Sequence, residues 1–218
     1  MNYTRIKYGL RKALRAKGIA ELPRMNMLPT WGKAAQANSR RFCGSSDPEH
    51  CAAKLWPPTL AQEVVRLATA EVGVKEHPAG SNRGPRVDQY ERVVGEWAVG
   101  KAWCADFVTA MYTWAARALK VKVPRFPSDP AGVSYWTEMI RSGSRGWRRV
   151  EPAAAMPGDV VCLWGSAHIE VVVSVDVHGH LLHCIGGNTS EAGQNSNGGE
   201  VCHTTRAFNE VTVVGRHG

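Results

Sequence analysis

The chain has 218 residues, of which 44% are hydrophobic and 21% charged, the composition of a folded protein with room for one domain and an appendage. No run of about 18 apolar residues occurs, so we predict no transmembrane helix, and the basic N-terminus lacks the apolar region of a Sec signal peptide. The net charge of +8 lies in residues 1–58, with eleven Lys or Arg and three Asp or Glu, whereas residues 59–218 have sixteen of each. This neutral second region argues against a nucleic-acid enzyme.

Residues 1–58 are predicted to be a basic segment for targeting, or for contact with a membrane or wall. One narrow apolar stripe runs along its predicted first helix: Ile6, Leu10 and Leu14. A local basic field attracts anionic membranes or wall polymers. A solvated basic helix that only aids solubility fits the same pattern.

Four helices are predicted at the start of the second region. Thr59 and Gln62 have the spacing of a capping box at the first helix, and Asp106 is interpreted as an acid favoured by the dipole of the third. Apolar residues keep a helical period in the first three stretches, and the fourth is predicted to begin near Ser128 or Asp129. The four are 59–72, 87–94, 103–120 and 129–141.

Short β-rich runs separated by turn signals follow residue 150. They are 159–164, 168–176, 180–184, 199–205 and 211–216. Sequential short strands with tight turns indicate an antiparallel sheet. The predicted fold class is therefore α+β, with N-terminal helices packed on an antiparallel sheet of about five strands.

Cys104 is the candidate nucleophile. It lies in the predicted first turn of the third helix, where unpaired N–H groups and the helix dipole stabilise a thiolate and can receive an oxyanion. A small buried cysteine without chemistry is the alternative. His168 begins a hydrophobic strand, where a core role explains it poorly, and a surface imidazole is its alternative. At hydrogen-bonding distance, ~3 Å, His168 would activate the thiol, and we expect the two to meet across a solvent-open cleft.

A third residue should hold the imidazole in one orientation. Asn188 follows the next strand and also fits an ordinary Gly-Asn turn, while His183 within that strand is the competing candidate. Trp103 and Trp164 flank the proposed pair in sequence. They are candidate walls of a substrate groove, with ordinary packing as the alternative.

Six cysteines occur, without a CxxC pair or a zinc-type spacing. Cys43 and Cys51 fit either a local disulfide or two free thiols. Cys162 and Cys184, on neighbouring predicted strands, are expected to be buried thiols. No acidic calcium-binding loop is seen, so we predict no metal and no other cofactor.

Four stretches carry a family resemblance in their order and approximate spacing: Trp103–Val108, Met156–Val161, His168–Val172 and Gly187–Ser190. Together they resemble the CHAP branch of the NlpC/P60 papain-like cysteine peptidases, found in phage and bacterial lysins, and the resemblance covers roughly residues 59–216. It implies a papain-like core, a helix carrying Cys104 packed on a sheet carrying His168, and cleavage of amide bonds in peptidoglycan.

By position, the resemblance makes Cys104 the nucleophile, His168 the base and then the acid, and Asn188 the orienting residue. The chain departs from the family at Gly186, where many members have a glutamate, so Asn188 and His183 both stay open for the third role. The implied partner is peptidoglycan, cut in the stem peptide or at the muramoyl-L-alanine linkage. We expect a monomer made in the host cytoplasm that acts on the wall, or one carried on a virion. A non-catalytic wall-binding or virion module and an interbacterial amidase toxin are the alternatives.

Overall fold

Residues 58–190 and 198–218 are described by a computed structural model. Pro58–Gly218 forms one compact unit. The predicted basic segment 1–58, with Cys43 and Cys51, lies outside the described residues except for its last proline. Among the residues described, no helix has the length and apolar character needed to cross a membrane.

In the described residues four α-helices precede the sheet, in the regions where the sequence predicts them: α1 Leu60–Ala70, α2 Val87–Val94, α3 Cys104–Ala118 and α4 Val133–Arg141. The capping box at α1 is confirmed, because the Gln62 amide N–H donates to Thr59 Oγ1 at 3.2 Å and the Thr59 N–H donates to Gln62 Oε1 at 2.9 Å. The N-cap of α4 is Gly132, so the helix starts a few residues after the predicted start near Ser128 or Asp129.

A single antiparallel sheet follows, in the order β1-β6-β2-β3-β4-β5. Its strands are β1 Trp147–Val150, β2 Val160–Leu163, β3 His168–Asp176, β4 Leu181–Thr189, β5 Glu200–Ala207 and β6 Val211–His217. The α+β class with helices packed on an antiparallel sheet is confirmed, and the described part of the chain has six strands rather than about five.

The sequence missed β1 and the second half of β4, each for a physical reason. β1 is a short edge strand that pairs only with β6 and exposes Arg148 and Arg149, so it lacks the apolar run of an inner strand. In β4, the pair Gly186 and Gly187 is typical of a turn, but here both residues continue the strand. Glycine is needed at these positions because neighbouring groups fill the space that a side chain would occupy.

The main core lies between α3 and the sheet. Twelve of the fifteen residues of α3 are buried, so this helix is covered on nearly all sides. Gly187 on β4 permits the close approach: a Cβ there would lie 2.6 Å from Trp103 Cζ3 and 2.7 Å from Phe107 Cβ. This contact fixes the N-terminal end of α3 against the C-terminal part of β4.

Candidate active site

Cys104 is the first residue of α3, as predicted. Its N-cap, Trp103, makes no side-chain capping hydrogen bond, and the first backbone bond of the helix runs from the Phe107 N–H to the Trp103 carbonyl. The N–H groups of the first turn therefore remain available near the sulfur for an anion. The position is suited to a nucleophilic thiolate and to the oxyanion that forms during acyl transfer.

His168 is the first residue of β3 and follows a tight turn of unusual backbone geometry. Trp164, Gly165 and Ser166 all have positive φ, of 49°, 66° and 81°. Left-handed conformations at two non-glycine residues cost free energy that the surroundings must supply. The Ser166 hydroxyl donates to Thr137 Oγ1 on α4 at 2.8 Å, which ties the turn to the helical layer.

An acidic side chain, Glu170, lies beside the His168 imidazole, and the sequence did not indicate it. Its Oε1 lies 3.2 Å from His168 Nε2, and both side chains are 0% exposed. The two residues are two apart on β3, so both point to the same face of the sheet. A His-x-Glu spacing at the start of a strand is the signal that could have identified Glu170.

Two side chains of β5 hold the Glu170 carboxylate. Thr204 Oγ1 donates to Oε2 at 2.7 Å, and Arg206 donates from Nε to Oε2 at 3.1 Å and from Nη2 to Oε1 at 2.5 Å. Arg206 is itself 1% exposed, and its guanidinium carbon lies 4.8 Å from the centre of the Trp164 ring. A paired and hydrogen-bonded carboxylate of this kind is fixed in position and remains charged.

These contacts set the protonation of the site. Burial lowers the pKa of His168, but the Cys104 thiol and the Glu170 carboxylate outweigh it and raise that pKa to about 9. Burial raises the pKa of Glu170, whereas the His168 imidazole and the Arg206 guanidinium lower it below its usual range. At neutral pH His168 is therefore protonated beside the Glu170 carboxylate, and neither of its ring nitrogens has a hydrogen bond of good geometry among the described residues.

Gly186 explains where the Glu170 carboxylate fits. The β3–β4 register pairs Val171 with Ile185, and continuing it by one residue places Gly186 opposite Glu170. A Cβ at Gly186 would lie 2.7 Å from Glu170 Oε1 and 2.9 Å from its Cγ. Glycine at this position is what leaves room for the carboxylate from the neighbouring strand.

The two residues predicted to orient His168 do not make that contact. Asn188 is buried with φ of 53°, in the irregular part of β4 between Gly186 and Thr189, and its side-chain amide has no hydrogen-bond partner among the described residues. His183 is exposed, with Nδ1 3.3 Å from Thr205 Oγ1, so it cannot orient a buried imidazole. Glu170 approaches the imidazole to 3.2 Å, although neither His168 nitrogen makes a hydrogen bond of good geometry among the described residues.

The two tryptophans have different roles from one another. Trp103 is 0% exposed and donates its indole N–H to Glu76 Oε1 at 2.9 Å, so its prediction as a groove wall is wrong and packing explains it. Trp164 is half-buried and stacks on the His168 ring, with centroids 5.8 Å apart and planes at 24°. It covers one face of the imidazole and remains a candidate contact for substrate.

The predicted open cleft is also wrong for the described residues. Cys104 is 4% exposed and His168 is 0% exposed, because α3 and the sheet pack closely around them. Cys104 keeps only this small exposure and His168 has none, so access to the pair is narrow. Such shielding strengthens the electrostatic interaction between the imidazole, the thiol and the carboxylate.

Asp106 differs from its interpretation as an acid favoured by the helix dipole. It is fully buried, and neither of its side-chain oxygens has a hydrogen-bond partner among the described residues. Burial, with the nearby Glu91 and Asp129 carboxylates, raises the pKa of Asp106 to about 8. Desolvation therefore outweighs the dipole, and the side chain is neutral at pH 7.

The other described cysteines are Cys162, Cys184 and Cys202, and all three are buried. Cys162 and Cys184 are buried free thiols, as predicted, and burial raises the pKa of both, that of Cys162 to about 12. Within 58–190 and 198–218, no group of three or more His, Cys, Asp or Glu side chains is arranged to hold a metal ion.

Comparisons of the chain with protein-family models, curated proteins and solved structures found no match.

Proposed function

We propose that the chain is a cysteine hydrolase of papain-like fold that cleaves an amide bond in peptidoglycan. The observation that carries the proposal is the buried His168 imidazole, which interacts with the Cys104 thiol and with the Glu170 carboxylate. A thiol at a helix N-terminus, a base and an orienting acid are the components of a nucleophilic acyl-transfer site.

The proposed reaction has two steps. In the first, the Cys104 sulfur attacks the amide carbonyl, N–H groups of the first turn of α3 receive the oxyanion, and His168 gives a proton to the departing amine, which leaves a thioester. In the second, His168 takes a proton from water, the hydroxide attacks the thioester, and the carboxylic acid product leaves as the sulfur is released. Glu170 touches the imidazole and not the substrate, so it is a positioning residue.

The protonation of the site supports this cycle. A protonated imidazole next to a sulfur stabilises the thiolate by Coulomb attraction, more strongly in a site shielded from water. The Glu170 carboxylate stabilises the imidazolium, and Arg206 and Thr204 fix that carboxylate. The buried His168–Glu170 ion pair therefore includes the imidazole, which is the group that must exchange protons in the proposed reaction.

The choice of peptidoglycan rests on the four stretches that resemble the CHAP-type lysins. Two of these stretches contain Cys104 and His168, and the electrostatic interaction between these two residues, which raises the pKa of His168, supports the resemblance. The Trp164 ring beside His168 supports binding of a sugar–peptide substrate, because aromatic rings pack well against sugar rings.

The test is loss of turbidity of purified cell walls, followed by mass spectrometry of the released muropeptides. The wild-type chain should clear the walls, and Cys104→Ala and His168→Ala should each abolish clearing. His183→Ala is the matched control, since His183 is an exposed histidine on the neighbouring strand, and it should retain activity. New amine and carboxyl ends in the products identify the amide bond, and clearing by Cys104→Ala would disprove the proposal.

A further inference from the structure

The neutral charge of the second region conceals a strong local imbalance. Residues 117–150 carry eight Lys or Arg and two Asp or Glu, a net charge of +6, so the rest of 59–218 carries −6. This basic part contains the end of α3, the following loop, α4 and β1. Segregation on this scale produces a local field that attracts anions.

Three of these cations line one open pocket of about 470 Å³. They are Lys122 and Arg125 after α3, and Arg145 before β1, with His217 at the end of β6 beside them. All three are exposed, and none of them pairs with a carboxylate in the part of the chain that the structure describes. Unpaired cations converging on a concave site are the usual arrangement for binding a phosphate group.

The walls of this basic pocket are held by the fold. The Trp147 indole N–H donates to the Arg125 carbonyl at 2.9 Å, and the Gly218 N–H donates to the Gly146 carbonyl at 3.0 Å. Arg145 has a φ of 58°, a left-handed conformation that is costly for arginine and that directs its backbone around the pocket. Hydrogen bonds at the start of β1 and just after the end of β6 therefore hold the backbone of the pocket in place.

The basic pocket lies far from the proposed active site. Cys104 begins α3, and Lys122 follows its C-terminal end, so the length of a fifteen-residue helix, roughly 22 Å, separates them. In the sheet, His217 pairs at the end of β6 that lies beside Val160, whereas His168 pairs with Leu163 at the other end of β2. A ligand in this pocket therefore does not contact the reacting thiol.

We propose that this pocket binds phosphate groups of a phosphodiester-linked wall polymer and so retains the enzyme on its insoluble substrate. The anion chemistry follows from the pocket itself, and the choice of a wall polymer rests on the proposed function. A concave site with three converging cations fits single phosphates along a flexible chain. Val123 and Pro124 also line the pocket, and Val121 beside Lys122 is exposed, so binding to a bilayer is the opposing outcome that the experiment must separate.

The experiment compares two variants of the full chain, each with Cys104→Ala to prevent cleavage. The pocket variant carries Lys122→Gln, Arg125→Gln and Arg145→Gln, and the control carries Arg117→Gln, Arg141→Gln and Arg148→Gln. Both lose three exposed cations from residues 117–150, and both keep residues 1–58. Affinity for soluble poly(glycerol phosphate) is measured by calorimetry at several salt concentrations.

The pocket variant should bind about tenfold more weakly, with the slope of log K against log salt reduced by about 2, whereas the control should change about twofold. Inorganic phosphate should raise the pKa of His217 in NMR titrations of the parent chain and leave it unchanged in the pocket variant. Equal weakening in the two variants, or pocket-dependent binding to phosphatidylglycerol vesicles without binding to the polymer, would overturn the proposal. Wall clearing by the wild-type chain tests the proposed function separately. The proposed function can therefore hold even if the pocket does not bind the polymer.

Discussion

The two ends of α3 use charge in opposite ways. At its N-terminal end, His168, Glu170 and Arg206 are buried and interact with one another, so each charge has a partner. At its C-terminal end, Lys122 and Arg125 are exposed and have no carboxylate partner among the described residues. Paired, desolvated charges fix geometry and protonation, whereas unpaired, solvated charges attract ligands. The comparison indicates that one end is suited to chemistry and the other to attachment.

The largest expected effect is on the paired end. Glu170→Gln should lower activity on cell walls about 100-fold, because the neutral amide neither holds nor charges the imidazole as the carboxylate does. The pKa of His168 should fall, since one of the two groups that raise it is gone. The imidazolium exists only below its pKa, so the alkaline loss of activity should move from near pH 9 to lower pH. An unchanged pH profile would contradict the positioning role.

Moving the carboxylate should recover part of that loss. In Glu170→Gly with Gly186→Glu, the new glutamate arises opposite residue 170, where a Cβ at Gly186 already points at the Glu170 carboxylate. We expect the double variant to be about tenfold more active than Glu170→Gly alone, since the acid again reaches His168 and Arg206. Gly186→Glu alone should be harmful, because two carboxylates would compete for one site. Wall clearing by the four chains forms the cycle, and no recovery in the double variant would mean that Glu170 acts only through packing.

A smaller effect concerns stability beside the active site. The pKa of Asp106 is raised, so the folded state keeps a proton that the unfolded chain releases above about pH 4. Stability is therefore lost between pH 4 and about pH 8, by on the order of 1.4 kcal/mol for each unit of the shift. Asp106→Asn should remove this loss and unfold at a higher denaturant concentration than wild type at pH 8, but not at pH 4. Equal midpoints at both pH values would show that Asp106 is not buried as a neutral acid.

The smallest expected effect is on the unpaired end. The variant with Lys122, Arg125 and Arg145 changed to Gln should keep activity on soluble peptidoglycan fragments within about twofold, because surface cations without partners contribute little to folding. Its activity on intact walls should fall by more and should depend less on salt. A parallel loss on soluble fragments would mean that the two ends of α3 are not independent.

Much of the fold follows from local patterns in the sequence. Burial on one side or on all sides produces a regular apolar pattern, and such a pattern can be recognised in the sequence alone. This is why α1, α2 and α3 and the strands β2 and β3 were predicted. The end of β4 does not, since Gly186 and Gly187 are required by neighbours on β3 and α3 that are distant in the chain. β1 is not recorded either, because it is short, polar and paired only on one edge.

The site was predictable in part for the same reason. Cys104 and His168 stand at the starts of elements, where a sequence can indicate unusual chemistry. Glu170 reads as an ordinary strand residue until Arg206 and Thr204 from β5 are placed around it. The burial of Trp103 and Asp106 likewise depends on the packing of α3 against elements far away in sequence.

The measurement that tests the account most directly is NMR titration of ring-labelled His168 in the wild-type chain and in Cys104→Ala. We predict a wild-type pKa of His168 near 9 and a clearly lower value in Cys104→Ala, because Cys104 and Glu170 together raise it. A His168 pKa near 6.5 that is the same in both chains would mean that the sulfur and the imidazole do not interact.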